Sequence, residues 1–235
     1  MKNEFGYKLL TPLMRILFRL YYNPKIIGKE NIPKSGSIVI ACNHKHLFDQ
    51  CLTIMATKRV IHYMAKKEYF EGNLSWFFRF VGCIPVDRSK KDKNAKERAI
   101  DVLNKGGAIG IFPEGTRNRF KNKLLLDFKF GAVSLAKKTD SYVVPCAISG
   151  DYKFRSNNLM IRYGKPFKVN EKLGDSNEKL RLEVERLLKV NLNASNRKLA
   201  DELNTHEVWT CILKRTDLKY VLYFTSILLL FLLFE

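Results

Sequence analysis

The residues best suited to do chemistry lie in one block, residues 43–49, which reads NHKHLFD. His44 and Asp49 stand five positions apart. On one regular helix their side chains would point about 140° away from each other, because each residue turns the helix by about 100°. They can meet only if His44 lies in a loop and Asp49 begins the helix that follows. A carboxylate on one imidazole nitrogen fixes the tautomer and makes the other nitrogen more basic, so the pair would act as a general base. His46, three positions before Asp49, is the alternative partner.

Two further segments bring charged residues to the ends of short apolar runs. Residues 82–88 (GCIPVDR) end in Arg88, which would lie at the exit of a predicted strand. The alternative is that Arg88 forms only a surface ion pair with Asp87. Residues 112–117 (FPEGTR) contain an acid, a glycine, a hydroxyl and a guanidinium: Glu114, Gly115, Thr116 and Arg117. A glycine lets backbone N–H groups approach a ligand, and Arg and Thr suit phosphate oxygens. Residues 143–150 are almost wholly apolar, which predicts a buried strand along the wall of a site.

The elements that must position these residues alternate between β-like and helical patterns. The sequence predicts strands over residues 37–42, 60–65, 83–86, 108–112, 142–148 and 159–163. It predicts helices over residues 49–57, 74–81, 91–105, 132–138 and 178–190. Strands that alternate with helices are typical of an α/β fold, here with a mixed, largely buried β-sheet flanked by helices.

The two ends of the chain differ from this core. Residues 5–22 predict an amphipathic helix whose polar face carries Lys8, Arg15 and Arg19. Such a helix would contact a membrane surface or pack on the core. No secretory signal is visible. Residues 220–234 carry no charge, but a spanning helix needs about 20 residues, so this run would be a shallow anchor or a buried helix.

The composition of the 235-residue chain narrows the possible functions. A hydrophobic content of 46% excludes a disordered protein. The net charge of +19 suits nucleic acid or anionic lipid. Because the basic residues are spread along the chain beside leucines and aromatics, we expect a membrane surface and no nucleic acid. The five cysteines are odd in number and form no CxxC pair, so the sequence predicts neither a disulfide framework nor a zinc site. We therefore expect the protein to work in a reducing compartment.

Together, and in this order, the polar segments resemble the glycerolipid acyltransferase family, whose bacterial members include 1-acylglycerol-3-phosphate acyltransferases. The resemblance covers about residues 26–168. Residues 43–49 are similar to the family's NHxxxxD block, 84–88 to its second block, 112–117 to its FPEGTR block and 144–148 to its VPxxI block. Residues 65–68 (AKKE) are similar to a basic element that contains Lys66 and Lys67.

The resemblance implies acyl transfer from a thioester to a glycerolipid hydroxyl at a membrane surface. It makes His44 the base and Asp49 the acid that orients it. It implies that Arg88, Arg117 and one of Lys66 or Lys67 bind the phosphate of the acceptor. It also implies that Glu114, Gly115 and Thr116 help to position the acceptor and shape the site. No cofactor or metal is expected, because acyl-CoA or acyl-carrier protein would enter as the acyl donor.

The expected acceptor is 1-acylglycerol-3-phosphate, which would give phosphatidic acid in phospholipid biosynthesis. Two alternatives remain: another lysolipid acceptor, such as one containing an amino acid, or a non-catalytic basic protein that binds membrane or nucleic acid. We expect three parts: a membrane-interface helix over residues 1–28, a catalytic domain over 29–195 and a tail over 196–235. The expected location is the cytoplasmic face of a membrane, with peripheral or shallow attachment.

Overall fold

The computed structural model describes residues 4–73, 75–87, 89, 92–120, 122–156, 158–169 and 172–204, with side chains up to residue 195. Arg88 and the apolar run 220–234 lie outside the described residues. The α-helices are Glu4–Tyr22 (α1), Asp49–Met55 (α2), Ser75–Phe80 (α3), Lys93–Asn104 (α4), Gly131–Lys138 (α5) and Leu173–Asn204 (α6). Short 3-10 helices cover Lys29–Asn31 and Lys67–Phe70.

The strands form one mixed sheet. They are Lys25–Ile27 (β1), Ile38–Cys42 (β2), Ile61–Lys66 (β3), Ile84–Val86 (β4), Ala108–Ile111 (β5), Tyr142–Ser149 (β6), Met160–Tyr163 (β7) and Phe167–Lys168 (β8). The order is β1-β7-β6-β2-β5-β3-β4, and β8 also pairs with β6. Strands β6, β2, β5, β3 and β4 run parallel, whereas β7 and β8 run antiparallel to β6. The carboxyl ends of five strands therefore meet at one edge.

Strand β2 shows how the sheet separates two hydrophobic layers. Successive side chains of a strand point to opposite faces. Val39 and Ala41 pack with buried residues of α4, α5 and α6, whereas Ile38, Ile40 and Cys42 pack with Phe18 of α1 and Leu52 of α2. The fold thus has three layers, with helices on both faces of a buried sheet, as the sequence predicts.

Helix α1 ends where the backbone can no longer continue it. Asn23 adopts a left-handed conformation with φ of 46°, and Pro24, which has no N–H to donate, follows it. The predicted helix over residues 5–22 is confirmed. Among the described helices, none is both long enough and apolar enough to cross a bilayer.

The structure differs from the sequence prediction at two short strands and at the length of the last helix. Strands β1 and β8 were not predicted, because they are defined by pairing with β7 and β6 and have no sequence pattern of their own. The helix predicted over residues 178–190 extends over Leu173–Asn204. The sequence of its first and last turns is rich in polar residues, so the apolar repeat that predicts a helix is weak there.

The buried face of β2 should contribute strongly to stability. Ile40 is 1% exposed, and replacing it with Ala should lower the free energy of unfolding by about 2–5 kcal/mol, because a cavity remains. Ile16→Ala on the exposed face of α1 is the matched control and should change it by no more than about 0.5 kcal/mol. Urea unfolding measures both. Equal losses would contradict this description of the core.

Candidate active site

The loop that follows β2 is attached to β6 by one buried amide. The Asn43 side chain donates from Nδ2 to the carbonyl of Ile148 at 3.0 Å and accepts the Ile148 N–H at 2.7 Å on Oδ1. These two bonds continue the pairing of β2 with β6 beyond Cys42. The next residue, His44, therefore leaves the sheet at a fixed point of its carboxyl edge.

The carboxylate of Asp49 organises that loop. Asp49 is fully buried as the first residue of α2. Its Oδ2 accepts the backbone N–H of Lys45 at 2.7 Å and of His46 at 2.8 Å, and it lies 2.8 Å from Nδ1 of His44. Since this oxygen is an acceptor for the two amides, Nδ1 is the donor and carries the ring proton. The loop-then-helix arrangement that the spacing required is present, and it leaves Nε2 as the basic ring nitrogen.

The imidazole of His44 is held from two more sides. Its ring stacks on Phe112, with centroids 4.1 Å apart and planes 12° apart. Its backbone N–H donates to Oε1 of Glu114 at 2.7 Å, and its carbonyl accepts the N–H of Asn118 at 2.7 Å. The side chain remains 18% exposed, so a substrate can reach the ring.

Glu114 joins the loops that follow β2 and β5. Its Oε2 accepts the N–H of Leu126 at 2.8 Å, while Oε1 holds His44. Burial raises the pKa of Glu114, and the two N–H donors oppose that rise by stabilising the carboxylate. With both oxygens engaged by the backbone, Glu114 is suited to shaping the site.

His46, the alternative partner, occupies a different place. Its ring stacks on Tyr152 at 4.2 Å, and its Nδ1 accepts the N–H of Phe48 at 3.2 Å. Burial lowers the pKa of His46, so the neutral ring dominates at pH 7. The imidazole contact with Asp49 described above belongs to His44.

Tyr152 is a site residue that the sequence did not reveal. Its hydroxyl donates to Oδ1 of Asp49 at 2.6 Å. Burial raises the pKa of Tyr152 well above its usual value, and the charge of Asp49 adds to the rise, so the hydroxyl keeps its proton. The available signal was its position just after β6, at the edge where β2 also ends.

The basic residues lie along the same edge at different depths. Arg117 is half-buried and directly precedes Asn118, whose N–H donates to the carbonyl of His44 at 2.7 Å, so it lies beside the histidine loop. Lys66 ends β3, in register with Val86 of β4. Lys67 is exposed and pairs with Glu71 at 3.1 Å. Among the described residues, no contact joins either lysine to His44 or Asp49.

The FPEGTR turn itself is tightly built. Gly115 has φ of +70°, and its N–H donates to the carbonyl of Phe112 at 2.9 Å. This left-handed conformation favours glycine, whereas the close neighbour of a Cβ here would be the movable end of the Lys129 side chain. Thr116 is exposed beside it. Within the described part of the chain, no three His, Cys, Asp or Glu side chains group in a way that could hold a metal ion.

Comparisons with known proteins identify the family to which the chain is similar. The family model described as Acyltransferase matches residues 23–149. The 1-acyl-sn-glycerol-3-phosphate acyltransferase of Bacillus subtilis is 32% identical over 166 residues, which cover 68% of this chain and 81% of that protein. The yeast protein of the same name is 31% identical, and the match covers 67% of this chain and 57% of the yeast protein.

A solved structure shares the fold. The crystal structure of the 1-acyl-sn-glycerophosphate acyltransferase of Thermotoga maritima superposes with a TM-score of 0.62 at 22% identity. The match covers 78% of this chain and 80% of that chain. It supports the three-layer arrangement described above.

The bond between Tyr152 and Asp49 should be measurable as stability. A hydrogen bond to a charged group contributes about 1.5–3 kcal/mol, so Tyr152→Phe should lower the free energy of unfolding by about that amount. Tyr69→Phe is the matched control, since Tyr69 is 43% exposed and water can replace any bond that its hydroxyl loses. Urea unfolding of the two variants decides: a Tyr152→Phe protein as stable as the Tyr69→Phe protein would show that the bond contributes nothing.

Proposed function

This chain belongs to the acyltransferase family, and we propose that it moves a fatty acyl group from an acyl thioester to the free hydroxyl of 1-acylglycerol-3-phosphate, giving phosphatidic acid. One observation carries the proposal: the 2.8 Å contact between Nδ1 of His44 and Asp49 at the carboxyl edge of the sheet. The FPEGTR turn, which suits a phosphate, lies at the same edge. In doubly wound sheets, ligands bind at this edge.

His44 acts as the general base. With Nδ1 held by Asp49, Nε2 takes the proton from the acceptor hydroxyl as that oxygen attacks the thioester carbonyl. Asp49 stabilises the positive imidazolium that forms. General-base catalysis of this kind contributes about 10²–10⁴-fold, and the positioning of the acceptor supplies further acceleration.

The transfer is direct. The attacking oxygen forms a tetrahedral intermediate, which collapses with cleavage of the carbon–sulfur bond and departure of a thiolate. The imidazolium of His44 returns its proton to that thiolate. The nearby cysteines are poor nucleophiles, because burial raises the pKa of Cys51 to about 12 and that of Cys42 well above its usual value.

The acceptor phosphate is bound by Arg117 together with Arg88 and one of Lys66 or Lys67. The position of Arg117 beside the histidine loop supports its proposed role in binding the phosphate. Arg88 comes two positions after β4 in the sequence and lies outside the described residues, so its part in binding stays a prediction. Glu114, Gly115 and Thr116 shape the turn on which the acceptor rests.

The enzyme works on a membrane surface, at the cytoplasmic face. Five large apolar side chains of α1 are at least half exposed: Phe5, Leu9, Leu13, Ile16 and Leu20. They recur at steps of three and four residues, so they form one stripe, which suits the interface of a bilayer. The acyl donor is acyl-CoA or acyl-carrier protein, and both are anions that a chain of net charge +19 attracts.

The assignment of the base predicts a contrast between the two histidines. His44→Ala should lower acyl transfer by about 10²–10⁴-fold, and Asp49→Asn should also be severe, whereas His46→Ala is the control and should cost far less. Phosphatidic acid formed by the purified variants, with acyl-CoA and with acyl-carrier protein as donors, measures this. If His46→Ala were the inactive variant, the base would be wrongly assigned.

The acceptor site predicts a change in KM. A charge-assisted bond contributes about 1.5–3 kcal/mol, so Arg117→Ala should raise the KM for lysophosphatidate about ten- to a hundredfold. Arg117→Lys should restore little of it, because a lysine makes no bidentate contact. The exposed neighbour Arg119→Ala is the control. An unchanged KM for Arg117→Ala would point to an acceptor without a phosphate, such as an amino-acid-containing lysolipid.

A further inference from the structure

A basic cavity of about 600 Å³ lies on the side of the molecule that carries α1. It is open to solvent and bordered by the second half of α1, the end of α2 and strand β1. Five of its lining side chains are cations: Arg15, Arg19, Lys25, Lys29 and Lys58. No carboxylate is among the twelve described residues that line it. Five like charges in one concave surface strongly favour an anion.

The two arginines are held in place by neutral groups. Nε and Nη2 of Arg15 donate to the carbonyl of Ile54 at 3.3 and 3.0 Å, and Nη2 also contacts the carbonyl of Thr57. Nη1 of Arg19 donates to the carbonyl of Pro24 at 3.1 Å. A guanidinium has five N–H donors, so these bonds fix the groups and leave further donors. Carbonyls carry no net charge, so the positive charge of the cavity remains.

The cavity borders the exposed apolar stripe of α1, which we define as Phe5, Leu9, Leu13, Ile16 and Leu20. Arg15 comes one position before Ile16, and Arg19 one before Leu20. Each position turns the helix by about 100°, so both arginines lie on the same flank of the stripe. A molecule with an anionic head and apolar chains would satisfy both surfaces at once.

We propose that this cavity binds the phosphate of an anionic membrane phospholipid that is neither substrate nor product. Arg15 and Arg19 form charge-assisted bonds with the phosphate, the three lysines add positive charge, and the acyl chains follow the apolar stripe. The proposal rests on the proposed function in one respect, namely that the enzyme works at a bilayer surface. Its site is separate from the acceptor phosphate site beside His44.

The test compares two triple variants of the full chain. Lys25→Gln/Lys29→Gln/Lys58→Gln removes three exposed lysines of the cavity. Lys93→Gln/Lys138→Gln/Lys172→Gln removes three exposed lysines from or just before α4, α5 and α6, on the other side of the sheet. Both lose the same net charge, so a difference between them reports position.

Binding to vesicles is the first readout. Vesicles of phosphatidylcholine with and without phosphatidylglycerol provide the anionic headgroup, which is neither the proposed acceptor nor the proposed product. The cavity variant should lose about tenfold or more in affinity for the anionic vesicles, and the control should lose little, since only lysines near the bilayer contribute. Equal losses would mean that overall charge, and no site, attracts the membrane.

Free inorganic phosphate is the alternative ligand, because it carries the same anionic group as the phospholipid. Sodium phosphate should displace the wild-type protein from anionic vesicles more than sodium chloride of equal ionic strength does. Equal displacement would show a diffuse positive surface and overturn the site. If phosphate stabilised the wild type but not the cavity variant against heating, while both bound vesicles equally, the cavity would be a site for free phosphate and the lipid proposal would be wrong.

Activity in detergent separates this proposal from the proposed function. With detergent-solubilised lysophosphatidate, the cavity variant should keep the KM and kcat of the wild type. A raised KM would make the cavity part of the acceptor site and contradict a separate lipid site. A wild type that transfers no acyl group would refute the proposed function alone, because the vesicle experiments do not depend on catalysis.

Discussion

The rest of the site depends on how the buried carboxylate of Asp49 is satisfied. A buried charge destabilises a protein unless every lone pair finds a donor. Four donors converge on Asp49: the amides of Lys45 and His46, the ring of His44 and the hydroxyl of Tyr152. The loop must wrap around the carboxylate to bring these groups together. The geometry of the proposed base, His44, is therefore a consequence of satisfying one anion.

The same arrangement connects the histidine loop with the helix that carries the apolar stripe. Phe18 and Tyr22 of α1 pack against the ring of Tyr152, with centroids 6.5 and 5.6 Å apart, and both also contact Phe48. Tyr152 in turn donates to Asp49. One aromatic cluster thus lies between α1 and the His44–Asp49 pair, and the packing of α1 helps to fix Tyr152, whose hydroxyl donates to the carboxylate of Asp49.

The sequence was most informative where local spacing decides the outcome. The separation of His44 from Asp49 required a boundary between loop and helix, and short β-branched apolar runs identified the long strands. Tyr152 was not predicted as a site residue, because its hydrogen bond to Asp49 joins residues 103 positions apart and depends on the packing of β6 beside β2. Strands β1 and β8 form only because longer neighbours hold them. The backbone bonds of Glu114 likewise arise from two loops that only the sheet brings together.

The central claim is that Asp49 fixes the tautomer of His44 and leaves Nε2 as the base. Nitrogen NMR of the purified protein with labelled histidine tests it most directly, with His44→Ala used to assign the signals. The account predicts that the neutral form of the His44 ring carries its proton on Nδ1 and leaves Nε2 unprotonated, and that Asp49→Asn loses this preference. A proton found on Nε2, with Nδ1 unprotonated, would contradict it.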